Sequence, residues 1–501
     1  EIKECDWSSD VCSSDLRLRT MKTLELAITL GYIALCVVIG IWVSRRVSES
    51  SDDYWVAGRN IGTFTNSWAM MAALGSGGSV LGVTGLAFNL GIPYVFAMFA
   101  GAVAGFPLAA ILVARQLRNY KVRTVPEFFD FRYKNKALNF IAPIIILVCM
   151  EVYIVAQLKA AGVTAVYLLD IPYDTAVIIT AVVFTLYVSI GGMWAVTMTD
   201  VLQGILMVSM VVIVSIAVFM GFGGFSETVV KGTEAFPNLG MIRDMPIISY
   251  LGAFAVWFVA GCTVPHLVMR VFTSRDANSA RLSLNYSMLI YAVMIFLGAI
   301  AVGCAGRILF PELKDADTVF LKVMEHYIPS RIMAGLAVAA VMAAVMSTTD
   351  ALILAVASAA VNDIYKKHIN PNASEKTIYK MSLLMTWVAG LLAVYFAFNP
   401  PKLLTMLYTA AVGLLGASFF APIVLGIWWK KATSSGALWS CVAGGGSYLY
   451  LLWYTTLPAL SHILIAIPLS FAVHFAVSSM TQSSIDKAIL EKVAIGHCKE
   501  L

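Results

Sequence analysis

Charge is what this sequence has least of: Asp, Glu, Lys and Arg make up 13% of its 501 residues, against 60% hydrophobic residues. An ordinary soluble domain carries about 25% charged residues, so a water-soluble globule of this length is excluded. Histidine is nearly as scarce. The six histidines are scattered, and the eight cysteines form no CxxC pair and no metal-ligand spacing, which excludes a transition-metal centre and a disulfide scaffold. Cys36, Cys149, Cys262, Cys304 and Cys441 fall inside apolar stretches, as small buried residues do. Little polar sequence is left between those stretches, so no kinase or nucleotide-binding module is fused to the chain. Residues 1 to 20 have no initiating methionine, no apolar core of a signal peptide and no helical periodicity; they read as a non-native leader ahead of Met21.

What is present is apolar length. A membrane-spanning helix needs about 20 apolar residues, and thirteen such stretches stand at about 24–44, 62–90, 92–114, 138–166, 174–190, 200–222, 248–270, 282–305, 332–359, 378–397, 403–429, 435–455 and 460–480. The expectation is an all-α polytopic membrane protein with thirteen transmembrane helices, its partner the lipid bilayer. The net charge of +5 is therefore read by position and not as a nucleic-acid footprint. Basic residues crowd alternate loops, among them Arg45 and Arg46, Arg115 to Lys136, Arg270 to Arg281, Lys366 to Lys380, and Lys430 with Lys431. The positive-inside rule then puts the N-terminus outside a plasma (inner) membrane and the tail, 481–501, in the cytoplasm.

The stretch NSWAMMAALGSGGSVLGVTGLAFNL, residues 66 to 90, is apolar enough to span yet carries Gly75, Gly77 and Gly78 at its middle. Each glycine weakens a helix by roughly 1 kcal/mol relative to alanine, and released backbone is tolerated at that depth where it lines a cavity or is buried in protein. An unwound segment around Ala72 to Gly78 is expected, its carbonyls free to hold an ion. Close packing of two helices over small residues is the competing reading. The span at 248–270 repeats the anomaly with Gly261 and Pro265. Two interrupted helices thus stand first in two successive groups of five spans, 62–222 and 248–429. Five is odd, so the second group enters from the opposite side, and paired interruptions in inverted halves point to a midplane transport site.

Other polar residues inside spans carry the chemistry. Glu151, Tyr153, Gln157 and Lys159 share one span, with Tyr153 and Gln157 four apart on one face; Lys159 reads as snorkelling at the outer end. Asp200 ends the short connection GGMWAVTMTD, turned at Gly191 and Gly192, and either caps the next helix or serves a cation. Ser347, Thr348 and Asp350 stand mid-span. Carbonyls near Ala72 and Gly75 with the hydroxyls of Ser347 and Thr348 make an oxygen set suited to sodium. The segment DADTVFLKVMEHY is expected to form a short amphipathic helix in an outside loop, and the first span is read as peripheral with no polar interior.

Six segments, YWVAGRNIGTF, GSGGSVLGVTGLAFNLG, GGMWAVTMTDVLQG, PHLVMRVFTSRDANSAR, AAVMSTTDALILAVASAAVNDIY and FFAPIVLGIWWKKATSSGA, resemble the sodium/solute symporter family in that order. The resemblance covers Met21 to about residue 480. It implies a LeuT-type core of two inverted five-helix repeats, with one helix before it (within 21–60) and two after (432–480). It also implies a sodium site from Ala72, Gly75, Ala344, Ser347 and Thr348. A second cation site of some members corresponds to Asp200, but here Asp350 and Ala351 replace the hydroxyls that would complete it, so Asp200 with Asp350 is read as a possible cation or proton site. Solute selectivity is expected from Ser76, Ser79, Tyr153, Gln157, Trp257 and Cys262. No sugar-binding cluster of Gln, Glu, Asn and Lys is visible, and PHLVMRVFTSRDANSAR looks most like members for acetate and short monocarboxylates. The expected function is sodium-coupled symport of a short monocarboxylate by alternating access, with sodium as coupling ion and no organic cofactor. Symport of a proline-like amino acid or pantothenate is one alternative; a transporter-like membrane sensor, lacking any output domain, is another. A membrane enzyme finds no histidine base for GSGGS. No obligatory protein partner is evident.

Overall fold

Glycine and proline interrupt the apolar runs at the places where the sequence marks them, and the helices between form one bundle. The computed structural model describes residues 9–44, 55–189, 192–241, 245–399, 404–482 and 487–497. Arg45, Arg46, Gly191 and residues 1–8 of the expected leader lie outside the described residues. In chain order the helices are α1 (Ser9–Ser44), α2 (Thr63–Leu74), α3 (Gly78–Leu90), α4 (Ile92–Asn119), α5 (Val125–Tyr133), α6 (Lys136–Leu169) and α7 (Tyr173–Val188). There follow α8 (Gly192–Phe222), α9 (Phe225–Ala235), α10 (Ile247–Thr263), α11 (Pro265–Thr273), α12 (Ala277–Leu309) and α13 (Val319–Tyr327). The last are α14 (Arg331–Ile369), α15 (Glu375–Ala397), α16 (Leu404–Trp428), α17 (Ser434–Tyr454), α18 (Ile463–Met480) and α19 (Lys487–Ile495).

Among the described residues, ten helical stretches, counting α10 with α11 as one, are long and apolar enough to cross a membrane, and the bent pair α2–α3 makes an eleventh. Against the thirteen spans expected, α7 is short and α17 is diluted by glycine and serine. This is a multi-pass membrane protein. Its most enclosed long helix is α14, where every residue from Ala337 to Ala359 is buried. The sequence explains this: an alanine-rich helix apolar all round has no face to offer water. Helix α4 lies directly on α10, because a side chain at Gly101 or Gly105 would strike the backbone of Phe254 or Phe258. Such small residues one turn apart let helices approach closely in lipid. The amphipathic segment expected in the loop before α14 is helix α13.

The first span departs from its reading. Helix α1 begins within the expected leader, and Glu25, Thr29, Tyr32 and Cys36, spaced at helical intervals on one face, are all buried. Any side chain at Gly335 of α14 would meet Glu25 and Ile28, so α1 packs a polar stripe on the central helix. The stripe is easy to miss in an apolar run because a single glutamate is its only charge.

The loops rich in arginine and lysine meet at one end of the bundle. Arg59 donates to the carbonyls of Lys121 (2.7 Å) and Val122 (3.0 Å), and Arg118 to that of Arg275 (2.8 Å). Ile61 and the chain after α11 close that end with paired backbone bonds, Ile61 N to Thr273 O (3.1 Å) and Arg275 N to Ile61 O (3.0 Å).

Candidate functional site

Helix α2 stops at Leu74 and α3 starts at Gly78, bent from it by 60°. The break is shorter than the expected Ala72 to Gly78. Its backbone groups find local partners: Gly75 N–H reaches Met71 O (2.6 Å), Ser76 N–H reaches Leu74 O (3.0 Å), and the amides of Ser76 and Ser79 each donate to the other's hydroxyl (3.2 and 3.1 Å). Gly77 N–H donates to Gln157 Oε1 (3.1 Å) of α6. Both readings of the glycines hold. A Cβ at Gly77 would sit 2.6 Å from Val345 and 2.8 Å from Ala160, and one at Gly78 would enter the Tyr408 ring.

Where α2 ends, its last carbonyls have no helical donor, and two hydroxyls of α14 take that place. Ser347 Oγ lies 2.9 Å from Ala72 O and 3.2 Å from Ala344 O, and Thr348 Oγ1 lies 3.2 Å from Ala73 O. The structure therefore brings Ala72, Ala344, Ser347 and Thr348 together. Thr348 reaches Ala73, which the sequence reading did not single out; its signal was the Ser-Thr pair, whose two hydroxyls need adjacent acceptors. Gly75 stands two residues further on, at the break itself. All of these residues are buried.

On the other side of the break, rings form a wall. Tyr153 stacks on Tyr408 (centroids 4.7 Å, planes 8° apart), and Trp257 meets Tyr408 edge-on at 6.0 Å. His266, in the first turn of α11, packs edge-on against Tyr153 at 5.6 Å. Ser79 Oγ bonds to Tyr291 (3.0 Å) and to Leu74 O (3.2 Å). Gln157 Nε2 and Trp257 Nε1 are buried N–H donors with no hydrogen-bond partner among the described residues. An unmet buried donor costs about 1–3 kcal/mol, so these two favour a ligand with acceptor oxygens. Cys262 is buried near the end of α10, outside this hydrogen-bonded cluster. Tyr291 is a residue that sequence reasoning left out of the site, and Tyr408 was legible only as a notable polar residue of the 403–429 span, on the tenth core helix. A tyrosine in an apolar run gives no sign of which way its hydroxyl points.

The second interruption is a single extended residue, Val264, between α10 and α11. Pro265 has no N–H to offer Gly261, four residues back, and the helix restarts at the proline. The restart carries Arg270 into the core, fully buried, where it pairs with Asp200 of α8 and donates to Thr197 Oγ1 (2.7 Å). Two expectations change here. Arg270 does not lie in a basic loop. Asp200 is not a cap, since α8 starts at Gly192 and runs through it. A second cation at Asp200 with Asp350 would meet a guanidinium already on the Asp200 carboxylate; Asp350 is buried on α14. Lys159 does not snorkel: its ammonium is buried 2.7 Å from Asp317 Oδ2, just before α13. Asp317 also accepts from Leu404 N–H (3.4 Å) at the start of α16, and it neutralises a charge that lipid would not solvate.

Comparison with known proteins agrees with this architecture. The model of the sodium:solute symporter family matches residues 54–444. A sodium/pantothenate symporter of Haemophilus influenzae is 30% identical over 440 residues, 85% of this chain and 90% of that protein. The osmoregulated proline transporter of Bacillus subtilis is 26% identical, covering 87% and 89%. The sodium/proline symporter of Escherichia coli is 27% identical, covering 82% and 84%. Among solved structures, a Na+-coupled sialic acid symporter in a substrate-bound outward-open state matches with a TM-score of 0.75 at 18% identity, over 91% of this chain and 97% of that one. A nucleobase-cation-symport-1 family transporter in a closed conformation matches at 0.52 and 14% identity, over 89% and 100%. At these identities the structures show a shared fold alone. The family and these relatives are transporters and not enzymes, and this chain belongs to the sodium:solute symporter family.

Proposed function

We propose that this protein couples sodium entry to the uptake of a small carboxylate-bearing solute by alternating access. The observation that carries the reading is the meeting of Ser347 and Thr348 with the carbonyls at the end of α2. With sodium present the two hydroxyls turn their lone pairs to the ion, and Ala72 O, Ala73 O and Ala344 O complete an oxygen cage beside Gly75. The solute lies across the break, its carboxylate on Gln157 Nε2 and Trp257 Nε1 and its body on the Tyr153–Tyr408 wall. Sodium orders the broken backbone that both ligands share, so each raises the other's affinity by the same factor.

The pantothenate and proline transporters among the relatives favour those solute types over the short monocarboxylate expected from one motif. All thirteen apolar helices cross the membrane in this reading, arranged as two inverted groups of five with one helix before and two after. The basic end faces the cytoplasm, and the N-terminus lies outside. Asp200 and Asp350 hold no second sodium, since Arg270 serves as the fixed cation there. The test is uptake of radiolabelled pantothenate and proline into proteoliposomes. One of them is expected to accumulate under an inward sodium gradient and not under an equal potassium gradient. Uptake of neither, with sodium-driven uptake of acetate, would overturn the solute assignment; uptake indifferent to sodium would overturn the coupling.

A further inference from the structure

Glu151 has no part in the site above. It lies midway along α6, and its Oε1 is buried without a hydrogen-bond partner among the described residues. It lines a cavity of about 690 Å³ between α6, α14, α15 and α16, walled by Leu147, Val155, Met385, Ala389, Leu392 and Phe396. Leu392 and Phe396 are exposed on the bundle surface, so the cavity opens sideways to the hydrocarbon of the bilayer. The volume falls within the range of small-molecule sites, roughly 300–1,000 Å³. Asn399 is the other polar residue of the described lining, and among the described residues no lysine, arginine or histidine lines it.

We propose that this crevice binds a lipophilic amine, with the ammonium on Glu151 and the apolar body along α6 and α15. Charge complementarity selects the ligand. A carboxyl group facing hydrocarbon is costly unless it meets a partner, and an acyl chain offers none. A neutral alcohol supplies one hydrogen bond; an ammonium supplies a hydrogen bond and the opposite charge, which low-dielectric surroundings strengthen. A fatty anion is repelled. The crevice also shares two walls with the aromatic cluster. Val152 and Leu407 line it, and the next residues on the same helices, Tyr153 and Tyr408, form the stacked pair. The inference stands on the fold and does not depend on which solute is carried.

The experiment uses the full chain in nanodiscs of zwitterionic lipid, with radiolabelled dodecylamine as probe and unlabelled dodecylamine, dodecanol and dodecanoate as competitors. Dodecylamine is expected to bind saturably and at least ten-fold more tightly than dodecanol, with dodecanoate weakest. Glu151→Gln should bring amine and alcohol to equal affinity, and Val388→Trp, at the mouth, should weaken both. Thermal unfolding without ligand establishes that each variant is folded, and Glu151→Asp, which keeps the charge, should retain the amine preference. Equal binding of amine and alcohol to the unmodified protein would show a groove filled by any lipid chain and would overturn the proposal, as would an amine preference that survives Glu151→Gln.

Discussion

Replacing Ser347 by alanine removes one hydroxyl and nothing else from the centre of the bundle, yet that hydroxyl lies within 2.9 Å of Ala72 O and 3.2 Å of Ala344 O. Without it, two carbonyls point at a space that sodium must fill with one ligand fewer. A hydrogen bond or ligand contact to a charged group contributes about 1.5–3 kcal/mol, so the sodium concentration for half-maximal uptake should rise about 10- to 150-fold. The maximal rate at saturating sodium should change far less, and the lost solute affinity should return as sodium is raised, because the two bindings are linked. The assay is initial-rate solute uptake into proteoliposomes over a wide range of sodium, at constant ionic strength. The same helix provides the control. Thr349 Oγ1 donates to Val345 O (2.7 Å) within α14, so Thr349→Ala should leave the sodium dependence within about two-fold, because its hydroxyl is bonded back to its own helix. A Ser347→Ala variant with unchanged half-saturating sodium and a uniformly lower rate would refute the reasoning. So would a Thr349→Ala variant as impaired as Ser347→Ala.

Other outcomes follow from neighbouring contacts. Asp200→Asn leaves the Arg270 guanidinium buried without its counter-charge, and should destabilise the protein by about 3–5 kcal/mol, seen as a lower unfolding temperature in detergent; pairing it with Arg270→Met should recover most of the loss. Lys159→Met combined with Asp317→Asn should be more stable than either single variant predicts, with a coupling of about 0.5–3 kcal/mol in a thermal-unfolding cycle. Gly78→Ala drives a methyl into the Tyr408 ring and should cost about 1–3 kcal/mol while raising the KM for solute, through the Tyr153–Tyr408 stack. Gln157→Glu removes the unmet N–H donor and opposes a solute carboxylate with its own; the KM should rise at least about ten-fold, with the sodium dependence retained.

The broken helices were legible because their causes are local. Gly75, Gly77 and Gly78 weaken one helix and Pro265 removes a donor from another, and no tertiary contact is needed to read either effect. The Ser347–Thr348 pair was legible on a local signal too, as hydroxyls beside Asp350 in the middle of an apolar helix. Arg270, Lys159 and the face of α1 were misread because their partners lie far off in the chain. Arg270 and Asp200 are seventy residues apart and Lys159 and Asp317 more than twice that. A basic residue near the end of an apolar run looks like a loop residue until the acid that neutralises it is known. The stack of Tyr153 on Tyr408 was out of reach on similar grounds, because ring orientation is set by packing between α6 and α16 and leaves no trace in hydropathy.

The account rests on sodium bound at the end of α2 making the solute site competent, and equilibrium binding tests this with no membrane gradient. Radiolabelled solute should bind the purified protein in detergent at least ten-fold more tightly in sodium than in an equal concentration of potassium, and Ser347→Ala should shift that gain to higher sodium. Equal affinity in the two salts, or a gain in sodium that ignores the loss of the Ser347 hydroxyl, would contradict it.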